Sequence, residues 1–222
     1  DQLTLTPAED FNGDVQINVS VTDGEYSDTE LFTLIVFPIN DAPTIDLPAS
    51  VTFDEDGSHT EDFSVYIDDI DEDELSLSVT GDENVLVEIN DFTVIFTSNA
   101  DWNGTETLTF MVDDAQGRAV ATDDIDVVVL PMNDAPIATD AAITPSLPSL
   151  QDDLILSYDY FDIDGDDESG TTITWFNSGA EESEFANALT IPASATSCEE
   201  EWHAEVTPND GIVFGPVVSS NI

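Results

Sequence analysis

Asn40-Asp41-Ala42-Pro43 returns as Asn133-Asp134-Ala135-Pro136, an offset of 93 residues, and the stretch ahead of each copy returns with it. Asp10-Phe11-Asn12-Gly13 answers to Asp101-Trp102-Asn103-Gly104, each followed by an alternating strand, an acidic turn, a second strand and the tetrapeptide. A period of this size is a domain, well beyond the roughly 20 to 50 residues of solenoid repeats. The proline keeps the residue before it extended, so Asn-Asp-Ala-Pro reads as a stiff linker rich in oxygen ligands.

Outward from these linkers the chain alternates with period 2, and no stretch sustains a helical period. Val15, Ile17, Val19 and Val21 form one strand and Phe32, Leu34 and Val36 the next, with a turn at Asp23-Gly24. The second unit reads as seven strands. These are Thr44 to Phe53, Phe63-Val65-Ile67, Leu75-Leu77-Val79, Val85-Val87-Ile89, Val94-Phe96, Leu108-Phe110-Val112 and Ile125-Val127-Val129. The third keeps the rhythm through Leu154-Leu156-Tyr158, Ile173-Trp175, Leu189-Ile191, Trp202-Ala204-Val206 and Val213 onward. Seven short strands in about 100 residues are the pattern of a β-sandwich, and Trp175 falls where the third strand of such a sandwich often buries a tryptophan. The expected boundaries are 1–39, the last two strands of a module; 40–132, a complete module; and 133–222, a further one. Residues 1–39 have apolar faces that two strands alone cannot cover. The cover comes from upstream chain, if this is a piece of a longer protein, or from another molecule. The chain opens in mid-strand and stops at Ser220-Asn221-Ile222, which favours the first.

Composition points to the partner. Fifty acidic residues face one basic residue, Arg118, for a formal net charge of -49. Charge of one sign at this density opposes a compact state unless cations neutralise it. Forty-one per cent hydrophobic residues in clear alternation nevertheless argue for packed domains rather than an acidic tail. Nucleic acid and anionic membranes are excluded as partners, since both require a basic surface. No long apolar run or basic leader marks a membrane span or signal peptide in this segment. Cys198, the single cysteine, cannot form an internal disulfide; it is a buried thiol or an intermolecular one, and burial is the expectation.

Phe53-Asp54-Glu55-Asp56-Gly57, Asp69-Ile70-Asp71-Glu72-Asp73-Glu74-Leu75, Asp101-Trp102-Asn103-Gly104 and the closing Asn133-Asp134-Ala135-Pro136 resemble the bacterial cadherin-like tandem repeats of very long surface and secreted proteins. The third unit carries Phe161-Asp162-Ile163-Asp164-Gly165-Asp166, Ile173-Thr174-Trp175 and Val206-Thr207-Pro208-Asn209-Asp210-Gly211. It is similar to an immunoglobulin-like module found beside those repeats, departing at Cys198-Glu199-Glu200-Glu201, where a glycine-containing turn is the norm. The resemblance implies all-β, tandem seven-stranded Greek-key sandwiches in a rod, with calcium between modules, an extracellular or cell-surface adhesive or scaffold role, and no catalysis.

The acids support calcium independently. In a seven-stranded sandwich the loops after the second and sixth strands emerge at the end where the chain enters. Asp69, Asp71, Asp73, Asp113 and Asp114 therefore lie beside linker residues Asn40 and Asp41, approached by Asp10 and Asn12 from the first unit. At the opposite end Asp54, Glu55, Asp101 and Asn103 approach Asn133 and Asp134, and Asp162, Asp164, Asp166 and Asp210 come from the third unit. Each set exceeds the roughly 6 to 8 oxygens one Ca2+ needs, and alternate residues of Asp-x-Asp-x-Asp turn toward one centre from a curved loop. Neither loop is an EF-hand, because position twelve is Thr80 in one and Ile173 in the other where glutamate is required.

Plainer readings stand beside these. A halophile-type acidic surface needs no specific sites, Asn12-Gly13 and Asn103-Gly104 are good turn formers, and Phe11 and Trp102 read as core plugs under those turns. Enzyme chemistry lacks its parts: His59 and His203 stand alone, and no nucleophile elbow or phosphate loop is present. Trp102, Trp175 and Trp202 read as core rather than as a carbohydrate platform. The expected function is a calcium-stiffened, non-catalytic segment of a bacterial adhesin, matrix or filament protein, with accessory spacer modules of a secreted hydrolase as the alternative. Expected partners are calcium ions, neighbouring modules of the same chain, and other copies or a cell-surface ligand.

Overall fold

The computed structural model describes residues 2–117 and 120–220; Arg118 and the terminal Asn221-Ile222 lie outside them. The chain divides into two compact units, Asp1–Pro131 and Met132–Ile222.

The first unit starts with a hairpin of β1 (Gly13–Thr22) and β2 (Ser27–Val36), paired in unbroken register from Gly13 opposite Val36 to Thr22 opposite Ser27. Its turn is closed by the Asp23 carboxylate, which accepts from the N–H groups of Glu25 and Tyr26 at 2.9 and 2.8 Å. Those two bonds hold the Asp23 pKa below the usual carboxylate range. The strand expected at the start of the chain is absent from residues 2–12, which instead carry a turn at Glu9 and Asp10.

A complete sandwich follows, built from β3 (Thr44–Ile45), β4 (Ser50–Asp54), β5 (Ser58–Asp62), β6 (Ile67–Asp68), β7 (Ser76–Thr80), β8 (Val85–Asn90), β9 (Thr93–Ser98), β10 (Gly104–Asp113) and β11 (Val120–Leu130). One sheet has the order β4-β11-β10-β7 and the other β5-β9-β8, with β3 and β6 as a small separate pair. The strand anticipated from Thr44 to Phe53 is split between partners. β3 pairs antiparallel with β6, and β4 pairs parallel with β11. Pro48 has no N–H to offer a ladder, and at this break the Leu47 N–H donates to Asp123 Oδ2 at 2.7 Å. The alternation Phe63-Val65-Ile67 misled more directly. The second strand is β5, and Phe63–Val65 is a 3-10 turn whose Ser64 N–H is taken by Asp62 at 3.0 Å. Capping by an aspartate side chain competes with the sheet ladder at this point, and Val65 is left exposed.

The core between the sheets centres on Phe63, Phe96 and Phe110, with Phe63 and Phe110 edge to face at 4.8 Å between ring centres. Leu108, Phe110 and Val112 of β10 and Ile125, Val127 and Val129 of β11 are all sealed from solvent. The β1–β2 hairpin repeats this pair. Counted from Gly13 and Gly104, Ile17, Val19 and Val21 match Leu108, Phe110 and Val112; counted back from the tetrapeptides, Phe32, Leu34 and Val36 match Ile125, Val127 and Val129. Val21 and Phe32 are exposed, so the hairpin's apolar face is only partly covered, as two unaccompanied strands require.

One clamp in this unit came from no sequence motif. Glu106 on β10 accepts from the backbone N–H groups of Glu83, Asn84 and Val85 and from the Asn84 amide, fixing the turn before β8. Desolvation pushes the Glu106 pKa up, but these bonds outweigh it and the net shift is downward. A folded pKa below the unfolded one stabilises fully above the ordinary glutamate range and is lost as pH falls through the folded value. Acid titration of stability should therefore show a flatter fall below about pH 4.3 in Glu106→Gln than in the parent. Parallel curves would remove Glu106 from this role.

The second unit comprises β12 (Ile137–Thr144), β13 (Leu154–Phe161), β14 (Thr172–Asn177), β15 (Ala180–Glu181), β16 (Thr190–Ile191), β17 (Trp202–Thr207) and β18 (Val218–Ser219). Sheets β12-β13-β16 and β15-β14-β17-β18 again total seven strands. Trp175 is fully buried, donates its ring N–H to the Ala188 carbonyl at 2.8 Å, and meets Trp202 edge to face. Cys198 is exposed, contrary to expectation. It sits on the turn before β17, away from the core, and there Glu199 takes φ 68°. The left-handed position that a glycine would fill is thus present, with glutamate in it.

Candidate metal centre

Each unit has an Asp-x-Asp-x-Asp loop that wraps around its own first aspartate. Asp69 Oδ1 accepts from the N–H of Asp71 at 2.9 Å and of Asp73 at 3.3 Å. Asp162 Oδ1 accepts from Asp164 and Asp166 at the same two distances. This curl makes alternate residues converge. One carboxylate oxygen from each of Asp69, Asp71 and Asp73 lies within 4.8 Å of the others, and so it is for Asp162, Asp164 and Asp166. Oxygens bound to one Ca2+ at about 2.3 to 2.6 Å can stand no farther apart than roughly twice that, so a single ion can reach all three in either loop.

The tetrapeptides dock onto these loops in the same way twice. The Asp41 N–H donates to Asp71 Oδ2 and the Asp134 N–H to Asp164 Oδ2, both at 2.7 Å. The Asn40 amide donates to Asp114 Oδ2 at 2.7 Å, and the Asn133 amide to Asp210 Oδ2 at 2.9 Å. Asp114 is held in turn by the Gln116 N–H, and Asp210 by the N–H groups of Ile212 and Val213. The Asn40 bond is the main cause of a lowered Asp114 pKa. At Asp210 desolvation pushes upward, yet the bonds from Asn133, Val213 and Ile212 carry the pKa below the usual range. Asp166 goes the other way, raised first by desolvation and then by the charges of Asp162, Asp164 and Asp210. No lysine or arginine stands among the described residues to relieve that crowding.

Two atoms test whether a cation fits. Asp69 Oδ2 and Asp162 Oδ2 are buried and take no hydrogen bond, although the other oxygen of each carboxylate takes two. A buried carboxylate oxygen without a donor is costly, and a hard cation with oxygen ligands satisfies it. The residues present fit Ca2+.

The remaining expected ligands are placed less uniformly. Asn12 lines an open cleft of about 460 Å³ with Asn40, Asp71 and Asp73, and Asp10 lines a neighbouring one of about 270 Å³ with Asn12, Asp41 and Asp71. Asp10 itself is a turn residue at φ 58°. Asp113 Oδ1 accepts from the Ala115 N–H, and Asp114 is the member of this pair that bonds to the linker. In the first unit Glu55 is buried and accepts from the Asn103 amide at 3.3 Å. Asp54 ends β4, and its carbonyl accepts from the Gly57 N–H; Asp101 is an exposed turn residue at φ 55°. Phe11 is exposed rather than a plug, whereas Trp102 packs on the core and its ring would stand 3.2 Å from a Cβ at Gly104. The role of Gly104 is thus to make room for Trp102 as well as to take a positive φ.

Fold and site together define an all-β, immunoglobulin-like sandwich with cation-fitting loops at its linker end. The family model described as bacterial Ig domain matches residues 40–128. No curated protein matches the chain. Among solved structures it is similar to mouse protocadherin-24 EC1-3, at 13% identity and TM-score 0.47 over 93% of this chain and 78% of that one. Human protocadherin-24 EC1-2 gives 17% and 0.44 over 82% and 96%. An endo-fucoidan hydrolase of glycoside hydrolase family 107 gives 14% and 0.38 over 97% of this chain and 34% of that one, so the chain spans about a third of that enzyme's length. Among the described residues no helix is long and apolar enough to cross a membrane.

Proposed function

We propose that this chain is a non-catalytic, calcium-stiffened segment of a bacterial extracellular adhesin, matrix or filament protein. The observation that carries the reading is the duplicated lock: in both units an Asn-Asp linker is hydrogen-bonded to a curled Asp-x-Asp-x-Asp loop with one buried, donorless oxygen. Calcium seated on that oxygen draws together carboxylates that otherwise repel. Because Asp41 and Asp134 donate to Asp71 and Asp164, fixing the loop also fixes where the linker enters its module. Without the ion the like charges push the loop open and the linker is released.

The binding test is calorimetric titration of the calcium-stripped chain at constant ionic strength. The parent should take up calcium at both loops. Asp69→Asn with Asp71→Asn should abolish the uptake of the first loop alone, and Asp162→Asn with Asp164→Asn that of the second, because each pair removes ligand charge without touching the apolar core. Equal uptake by parent and both double variants would show that the ions sit elsewhere. Heat that sodium reproduces would favour a salt-adapted surface without specific sites.

A further inference from the structure

The inward row of β13 runs Leu154, Leu156, Tyr158, Tyr160, and the same alternation carries past the strand end to Asp162. The two tyrosines of this row are treated differently. The Tyr158 hydroxyl donates to Glu168 Oε1 at 2.7 Å, whereas the Tyr160 hydroxyl oxygen is buried and has no hydrogen-bond partner. Two residues on, Asp162 is only 8% exposed, and its Oδ2 is likewise buried and without a partner. Unsatisfied buried groups are rare in folded proteins and point to a guest. A phenol hydroxyl is a hydrogen-bond donor as well as an acceptor. It can therefore donate to an oxygen, and a neutral hydroxyl adds nothing to the repulsion among the acids. The first loop has no counterpart, since Ile67 stands two residues before Asp69 where Tyr160 stands two residues before Asp162.

We propose that Tyr160 donates its hydroxyl hydrogen to the oxygen shell of a divalent cation seated on Asp162, Asp164 and Asp166. Tyr160 is then a positioning residue that makes the second site the tighter of the two. This rests on the calcium reading above. Hydrogen bonds to charged groups are the strong ones.

The test uses the full chain carrying Asp69→Asn and Asp71→Asn, so that only the second loop reports, with and without Tyr160→Phe. That substitution keeps the ring and removes only the hydroxyl. Calcium affinity is measured by calorimetry, and melting is followed in chelator and in calcium. We expect Tyr160→Phe to weaken calcium about tenfold, the scale of one hydrogen bond to a charged group. Its melting point should fall in calcium and stay level in chelator. Unchanged affinity would overturn the proposal and leave the calcium reading standing. An equal loss of stability in calcium and in chelator would also overturn it, by showing that the hydroxyl serves the fold alone. If the background protein with Tyr160 intact binds no calcium at the second loop, the reading beneath the proposal fails and the proposal with it.

Discussion

Millimolar calcium should raise the melting temperature of this chain well above its value in chelator at matched ionic strength. A ligand present at one hundred times its dissociation constant stabilises a module by about 2.7 kcal/mol. For a domain of roughly 60 to 100 residues each kcal/mol moves the midpoint by about 4 to 8 °C, so a shift of about 10 to 20 °C is expected. Relief of repulsion acts in the same direction, since Asp69, Asp71 and Asp73 gather in one unit and Asp162, Asp164 and Asp166 in the other, with no lysine or arginine among the described residues. Overlapping melting curves would refute specific binding. A shift that sodium alone matches would assign the effect to general screening of a chain with net charge -49.

The second large effect compares two equivalent valleys of core. Phe110→Ala should destabilise the first unit by about 3 to 5 kcal/mol, the range for removing a buried aromatic side chain, because its ring is wholly enclosed against Phe63 and Phe96. Val19→Ala occupies the matching place in the β1–β2 hairpin, where the side chain is 38% exposed. It should cost under about 1 kcal/mol, as for substitutions on open surface. Denaturant unfolding of both variants checks this. Similar losses at Val19 and Phe110 would mean that the hairpin's apolar face is packed as tightly as the complete sandwich.

Strand content was legible because each buried row repeats with period 2 between turn residues, but the alternation named neither β12 nor β15 and began a strand at Val213 where β18 starts only at Val218. Strand ends were less so. Phe63-Val65-Ile67 alternates as well as any strand, yet the Asp62 cap turns the backbone there, and period 2 cannot tell a strand from a short turn with apolar residues at alternate places. The two acidic loops were legible from spacing alone, since Asp-x-Asp-x-Asp curls on its first side chain through local bonds. Glu106 and Asp123 were not, because their partners lie 21 to 23 and 76 residues away. Nor was the bond from the Asn40 amide to Asp114, which joins residues 74 apart. Cys198 failed for a related reason: a free thiol buries when a strand carries it inward, and here a turn carries it out.

The central claim is that each curled loop seats a calcium ion against its linker. The most direct measurement is the anomalous difference density of crystals grown in calcium, collected where calcium scatters anomalously. The account predicts one peak within about 2.3 to 2.6 Å of Asp69 Oδ2 and another at the same distance from Asp162 Oδ2. Well-ordered loops without density at either oxygen, or peaks scattered over other surface acids, would contradict it.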